Sequence, residues 1–276
     1  MSDPTLDLDA YCRRIGFDGP LVPTHDTLAR LIERHAAAIP FENIEVLAGR
    51  VPALDPASLH RKMVGQRRGG YCYEQNHLLL ACLRQAGFVA HRLEARVRAG
   101  VPQDVVTGRT HLALRVTLDG EDHLADVGFG GMAPVAPLQL ARRDEQAAGS
   151  GAYRLVDSDG DLLLQIGAQQ HWNDCYRIGP VEPQLIDCEL GNWFVATHPK
   201  SMLRQNLLIA CARGGERLTL FNRTLSRRRP ETAAAEDQTL TSRAELAEVL
   251  ADLFGLDIAP ADFDAVMAAL ERQTDA

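Results

Sequence analysis

The chain has 276 residues, 46% of them hydrophobic and 24% charged, with a formal net charge of −8. This length supports one large domain or two to three modest ones, and the acidic balance argues against general nucleic-acid binding, which needs a basic footprint. No apolar stretch approaches the roughly 20 residues of a membrane span, and the first ten residues, MSDPTLDLDA, lack the basic and apolar regions of a signal peptide, so the cytoplasm is the expected compartment.

The first 85 or so residues read as helical. Leu28, Leu31, Ile32 and His35 fall at helical spacing after the cap candidate Thr24, and Asn76 to Gln85 continues the pattern. Pro40 and Pro52 break this region into short helices. From Val89 the period changes to two. "HRLEARVR" (91–98) and "THLALRVTLDGEDHLADVGFG" (110–130) alternate, with the hairpin signal Asp119-Gly120 between two runs. Tyr153–Val156 and Leu162–Ile166 flank a turn at 157–160, so a sheet or barrel is expected over roughly 88–190. The segment 141–151 reads as an exposed loop, "RLTLFNRTL" (217–225) as strand-like, and the polar stretch 226–239 as a mobile connection. Near the end, Ser242 and Glu245 form a capping box, and Leu246, Val249, Leu250 and Leu253 make one stripe ended by Gly255. Pro260 is placed to open a last helix. Helices, then strands, then mixed elements indicate an α+β architecture in three parts: 1–87, 88–190 and 191–276.

Six cysteines (12, 72, 82, 175, 188 and 211) and nine histidines show no CxxC, CxxH or HExxH spacing, so no metal site is expected. In a reducing compartment most of these thiols are small buried hydrophobes. Cys72 differs, because "RRGGYCYEQN" (67–76) sets it behind two glycines at the start of an apolar run. As first residue of a helix it would sit in the field of unsatisfied N–H groups, which favours a thiolate and can hold an oxyanion. Gly69 and Gly70 would permit unusual backbone angles and leave room for a substrate. Glu74 suits the helix dipole. The basic clusters Arg61-Lys62 with Arg67-Arg68, and 227–229, read as solvated surface or as an arm for phosphates.

A nucleophilic thiol wants a base and an orienter for that base. With a two-residue turn at Asp119-Gly120, Leu118 faces Glu121 and Ala113 faces Asp126. His111 then lies on the same face as Asp126 and diagonal to it, within side-chain reach. Leu112, Leu114, Val116 and Leu118 occupy the opposite face as a core stripe. A one-residue slip would separate the pair. His77 has no such partner and reads as structural.

These residues resemble the arylamine N-acetyltransferase family. RGGYCYEQN matches its RGGxCxExN signature, Thr110-His111 opens a matching strand, and "DVGFG" (126–130) matches a third segment in the same order. Weaker matches are "YCRRIGFDGP" (11–20), "IPFENIEVL" (39–47), "GFVAHRLEARV" (87–97) and "NWFVATHPKS" (192–201). The resemblance implies a papain-like cysteine-transferase core with a helical bundle, a β-barrel and an α/β lid. It implies ping-pong acetyl transfer from acetyl-CoA, with no permanently bound cofactor, to small aromatic amines or hydrazines. Carried over, Cys72 is the nucleophile, His111 its base and Asp126 the orienter. Phe41, Val97, Phe129 and Leu203 line the acceptor pocket, Leu203 standing where members often carry Phe. Thr107, Gly108 and Ser201 contact the coenzyme. The resemblance also brings Glu42 and Arg68 together beneath the site, where Arg68 either pairs with Glu42 or binds phosphate. The alternative reading is a thiol hydrolase or transglutaminase-like enzyme, since the same triad geometry serves amide cleavage.

Overall fold

The computed structural model describes residues 6–168, 171–229 and 235–274; the expectations placed on residues 1–5 and 230–234 lie outside them. α1 (Leu8–Ile15) is capped by Asp7 and α2 (His25–Ala38) by Thr24, whose Oγ1 accepts from Thr27 N–H at 3.3 Å. The Leu28, Leu31, Ile32, His35 stripe is buried. β1 (Phe41–Glu42), α3 (Ile44–Leu47), α4 (Pro56–His60) and a π-helical turn (Arg61–Gly65) lead to α5 (Cys72–Gln85). α5 is buried on nearly every side, as a helix at the centre of a core must be.

Eight antiparallel strands follow: β2 (Val89–Val97), β3 (Arg109–Leu118), β4 (Glu121–Ala125), β5 (Leu138–Gln139), β6 (Gln146–Ala148), β7 (Gly151–Ser158), β8 (Asp161–Ala168) and β9 (His171–Ile178). Their order in the sheet is β5-β4-β3-β2-β9-β8-β7-β6. Both tight turns, Asp119-Gly120 and Asp159-Gly160, place two residues at positive φ (52° and 81°, 51° and 83°), which suits the twist of a two-residue hairpin. The sheet curls until its edges meet through one side chain. Gln146 Oε1 accepts from Gln139 N–H at 2.8 Å, and its Nε2 donates to the Gln139 carbonyl at 3.1 Å. The expected exposed loop over 141–151 is therefore corrected: it contains β6, with Gln146 and Ala148 buried at the closure.

The strands of this barrel end at Ile178, and residue 190 falls inside α6 (Leu185–Thr197). After α7 (Met202–Gln205) come β10 (Leu208–Arg213), β11 (Glu216–Phe221), β12 (Thr224–Arg228) and β13 (Glu236–Thr239). The 217–225 run is two strands, split at Asn222 with φ 54°. The described parts of 226–239 are strands rather than a mobile connection, because β13 pairs with β12 from Thr224↔Thr239 to Arg227↔Glu236. β1 joins the far edge of this sheet through Phe41↔Ala210 and Glu42↔Ile209. α8 (Arg243–Glu248) carries the expected capping box and runs into a π-helical turn (Val249–Leu253); α9 (Pro260–Thr274) begins at its proline. Among the described residues no helix is long and apolar enough to cross a membrane.

The α+β arrangement builds separate apolar clusters. One joins α1, α2 and α5 to Leu114, Val116 and Leu118 of β3. A second fills the barrel and includes Ala113, from the other face of β3. A third lies between β10–β12 and the C-terminal helices. A fourth, small cluster sits where these parts meet, and it contains Phe41, Tyr71, Cys72, Leu112 and Ala210.

Candidate active site

Cys72 is the first residue of α5, with Tyr71 as N-cap. Glu74 closes the cap: its Oε2 accepts from Tyr71 N–H at 3.1 Å, and its Oε1 takes Lys62 Nζ at 2.5 Å. Burial pushes the Glu74 carboxyl up to about 7 against the opposing pull of Lys62, so Glu74 does more than answer the helix dipole. The two glycines correct an expectation. Neither has a positive φ; the left-handed residue is Arg67, at 53°. A Cβ on Gly69 would strike the Pro40 carbonyl, and one on Gly70 would come within 2.9 Å of Glu74 Cβ. The pair lets the chain press against β1 and its own helix rather than clearing space for a substrate.

The hairpin has the expected register. Leu118 pairs with Glu121 and Leu114 with Ala125, which sets Asp126 one residue past the last β4 pair. His111 Nε2 donates to Asp126 Oδ2 at 2.8 Å, and the Cys72 sulfur lies near enough to the same imidazole to favour its charged form. The sulfur also lies 3.7 Å from the Thr110 carbonyl. Asp126 is fully buried, yet every lone-pair direction is answered. Tyr176 OH donates to Oδ2 at 2.8 Å; Asn76 Nδ2 and Gly128 N–H donate to Oδ1 at 2.9 and 2.8 Å. The His111 ring is packed between Tyr176 and Phe129, with centroids 4.6 and 4.8 Å away.

This packing fixes the charges. Burial opposes a charged imidazole, but the Asp126 carboxylate and the Cys72 sulfur outweigh it and push His111 up to about 10. Burial likewise opposes the Asp126 charge, and His111 with the donors around it holds that carboxyl below its usual range. Burial raises the thiols of Cys12, Cys82, Cys175, Cys188 and Cys211. A thiol at a helix start, near an imidazolium that a buried carboxylate holds in place, is an arrangement suited to nucleophilic catalysis.

The chain matches the N-acetyltransferase family over residues 24–263. It is 37% identical to the arylamine N-acetyltransferase of Escherichia coli K12, covering 98% of each chain. It is 35% identical to the arylamine N-acetyltransferase / N-hydroxyarylamine O-acetyltransferase of Salmonella typhimurium, covering 99% of each. The Mycobacterium marinum arylamine N-acetyltransferase structure in complex with CoA superposes with a TM-score of 0.91 at 35% identity, over 96% of this chain and 99% of that one. The chain belongs to the arylamine N-acetyltransferase family. It is accordingly an acyltransferase.

The other positions carried over from that family are brought together only in part. Phe41 is buried and shares the small cluster with Cys72; Leu203 packs against the same cluster. Phe129 stands edge-on to His111. Val97 ends β2 beside Tyr176, and its carbonyl accepts from Thr107 Oγ1 at 2.8 Å. Gly108 is exposed next in sequence, whereas Ser201 is the N-cap of α7 and shares no hydrogen bond with Thr107 or Gly108 among the described residues.

Arg68 does pair with Glu42. Its Nε and Nη2 both donate to Oε1, at 3.1 and 2.9 Å, while Glu42 Oε2 accepts from Ile44 N–H at 2.7 Å. Arg68 Nη1 reaches Asp262 Oδ2 of α9 at 3.1 Å, so each guanidinium nitrogen is engaged within the protein. Asp262, Tyr176 and Asn76 escaped sequence reasoning. Asn76 had a signal: it lies one helical turn beyond Cys72 on the same face. Tyr176 and Asp262 had none, being brought in from distant strands and helices.

Proposed function

We propose that this acyltransferase works by ping-pong transfer of an acetyl group from acetyl-CoA, through S-acetyl-Cys72, to the nitrogen of an arylamine or hydrazine. The carrying observation is His111 bound to buried Asp126 at 2.8 Å beside Cys72, the first residue of α5. In this reading Cys72 gives its proton to His111 before it attacks, and Asp126 balances the imidazolium that results. The thiolate attacks the thioester carbonyl, the carbon–sulfur bond to coenzyme A breaks, and the departing thiolate takes its proton from His111. In the second half, the amine attacks the acetyl carbonyl carbon of S-acetyl-Cys72, its proton passes to His111, the bond between that carbon and the Cys72 sulfur breaks, and the thiolate returns. The first-turn N–H groups of α5 would stabilise the oxyanion of each step, a contribution of about 3 kcal/mol per donor in well-studied cases. Exchange between thioesters is nearly isoenergetic, which suits a transferase better than an irreversible hydrolase.

Phe41, Val97, Phe129 and Leu203 form the acceptor side of this reading, and Thr107, Gly108 and Ser201 the coenzyme side. In the same reading the segments 1–87, 88–190 and 191–276 contribute the nucleophile, the His–Asp pair and the cover, respectively. Free cysteines throughout suit a reducing compartment, the cytoplasm. The test is a single-turnover experiment. Acetyl-CoA without amine should leave one acetyl on Cys72, stable until an arylamine is added. Rapid loss of that acetyl to water, unaffected by amines, would favour a hydrolase instead.

A further inference from the structure

The turn that follows Phe129 is held from behind by a buried charge. Arg217, on β11, is only 7% exposed. Its Nη1 donates to the carbonyls of Gly131 and Ala133 at 2.9 and 2.8 Å, and its Nη2 to Tyr153 OH at 2.8 Å. The Tyr153 hydroxyl, on β7 of the barrel, donates in turn to the Ala133 carbonyl at 2.9 Å. Among the described residues Arg217 makes no ion pair with a carboxylate. A guanidinium buried this way is costly unless its donors are met, and here three acceptors converge on it.

The surroundings are shaped for that contact. A Cβ on Gly131 would collide with the Thr219 hydroxyl of β11, and one on Gly151 would come within 3.1 Å of Arg217 Nη2. Gly130, at φ 57°, bends the chain against Ala210 of β10 and Phe41 of β1. The turn is therefore pinned between the C-terminal sheet and the barrel. Phe129 immediately precedes it, with its ring edge-on to both His111 and Tyr176 at 4.8 Å.

We propose that Arg217 is a positioning residue for the acceptor half-reaction. It fixes the 130–133 turn so that Phe129 presents a stationary apolar wall to a flat aromatic amine beside the acetylated sulfur. The proposal rests on the ping-pong reading above. Phe129 is one wall of the His111 ring, but Asp126 and Tyr176 also hold that ring, so acylation of Cys72 depends on Arg217 far less than docking of an aromatic ring does.

The experiment compares wild type with Arg217→Met, Arg217→Lys and Tyr153→Phe in separated half-reactions, below their melting temperatures. Iodoacetamide labelling and acetylation of Cys72 by acetyl-CoA should stay within about twofold of wild type. Discharge of S-acetyl-Cys72 by an arylamine should fall about tenfold in Arg217→Met, through a raised half-saturating amine concentration, while discharge by hydrazine, which needs no ring wall, stays within about twofold. Arg217→Lys and Tyr153→Phe each lose part of the clamp and should lower the arylamine-to-hydrazine ratio by about threefold. These two variants decide the matter if Arg217→Met fails to fold. An unchanged ratio in both, or arylamine and hydrazine discharge falling together, would overturn the proposal. A wild-type protein that takes no acetyl from acetyl-CoA would overturn the ping-pong reading, and this proposal with it.

Discussion

Both carboxylate oxygens of Asp126 are occupied by donors, and that arrangement decides what each substitution around it should do. Asp126→Asn replaces an acceptor with an amide that cannot answer four donors and cannot balance an imidazolium. Acylation of Cys72 should fall by about 10²–10⁴-fold, read from the burst of coenzyme A release; near-normal acylation would sink the triad reading. Cys72→Ser should abolish acetyl transfer with the melting temperature kept. In the wild type, iodoacetamide should label Cys72 first, since burial raises the thiols of the other five cysteines. Preferential labelling of any other cysteine would contradict the assignment. His111 gives a pH signature. Its value is raised from 6.5 to about 10, so its contribution to stability is whole below pH 6.5 and is lost as pH climbs through 10. The melting-temperature gap between wild type and His111→Gln should therefore narrow between those pH values. A gap that widened would refute the charge assignment.

At the scale of elements, the turn before α5 is braced on two sides, by Glu42 from β1 and by Asp262 from α9. Truncating one partner of a buried pair costs about 3–5 kcal/mol, so Arg68→Ala and Glu42→Ala should each lower stability in denaturant titrations, with the double variant no worse than the worse single. Asp262→Ala should cost less, because Arg68 keeps Glu42. An Arg68→Ala protein with unchanged stability but weaker use of acetyl-CoA would mean that the arginine serves phosphate instead. The Glu42 contact was legible because two short motifs, IPFEN and RRGG, resemble segments that meet in the family. The Asp262 contact was not, since it spans 194 residues and follows from no local pattern. The hairpin was legible for the opposite reason: Asp119-Gly120 and the alternation on either side leave one register in which both faces make sense. β13 was illegible because all four of its residues are exposed, so no apolar alternation marks it as a strand. β6 escaped because its role is to close a barrel through one glutamine, which only the assembled sheet reveals.

Across the whole molecule the apolar clusters are tied to one another by buried polar contacts rather than by continuous packing alone. Arg68–Asp262 joins α9 to the helical part, Arg217 joins the second sheet to the barrel, and Asn192 of α6 joins Tyr71 to the Pro52 carbonyl. Separating any two parts would leave charged or polar groups unpaired, so the parts should not melt independently. Calorimetry should show a single transition with matching calorimetric and van't Hoff enthalpies. Two resolved transitions would show that these ties are weaker than the clusters they join.

Cys72 lies at the start of α5 and the imidazole beside it on β3, two elements that pack together in one apolar cluster. The reactive sulfur therefore reports on docking as well as on chemistry. If the two elements drew apart without unfolding, Cys72 would become more exposed and yet slower toward alkylation, because the imidazolium would be gone. The thiols that are buried now would meanwhile gain rate from exposure. The order in which the six cysteines react, followed along a denaturant series, thus dates the opening of the seam against the loss of each core.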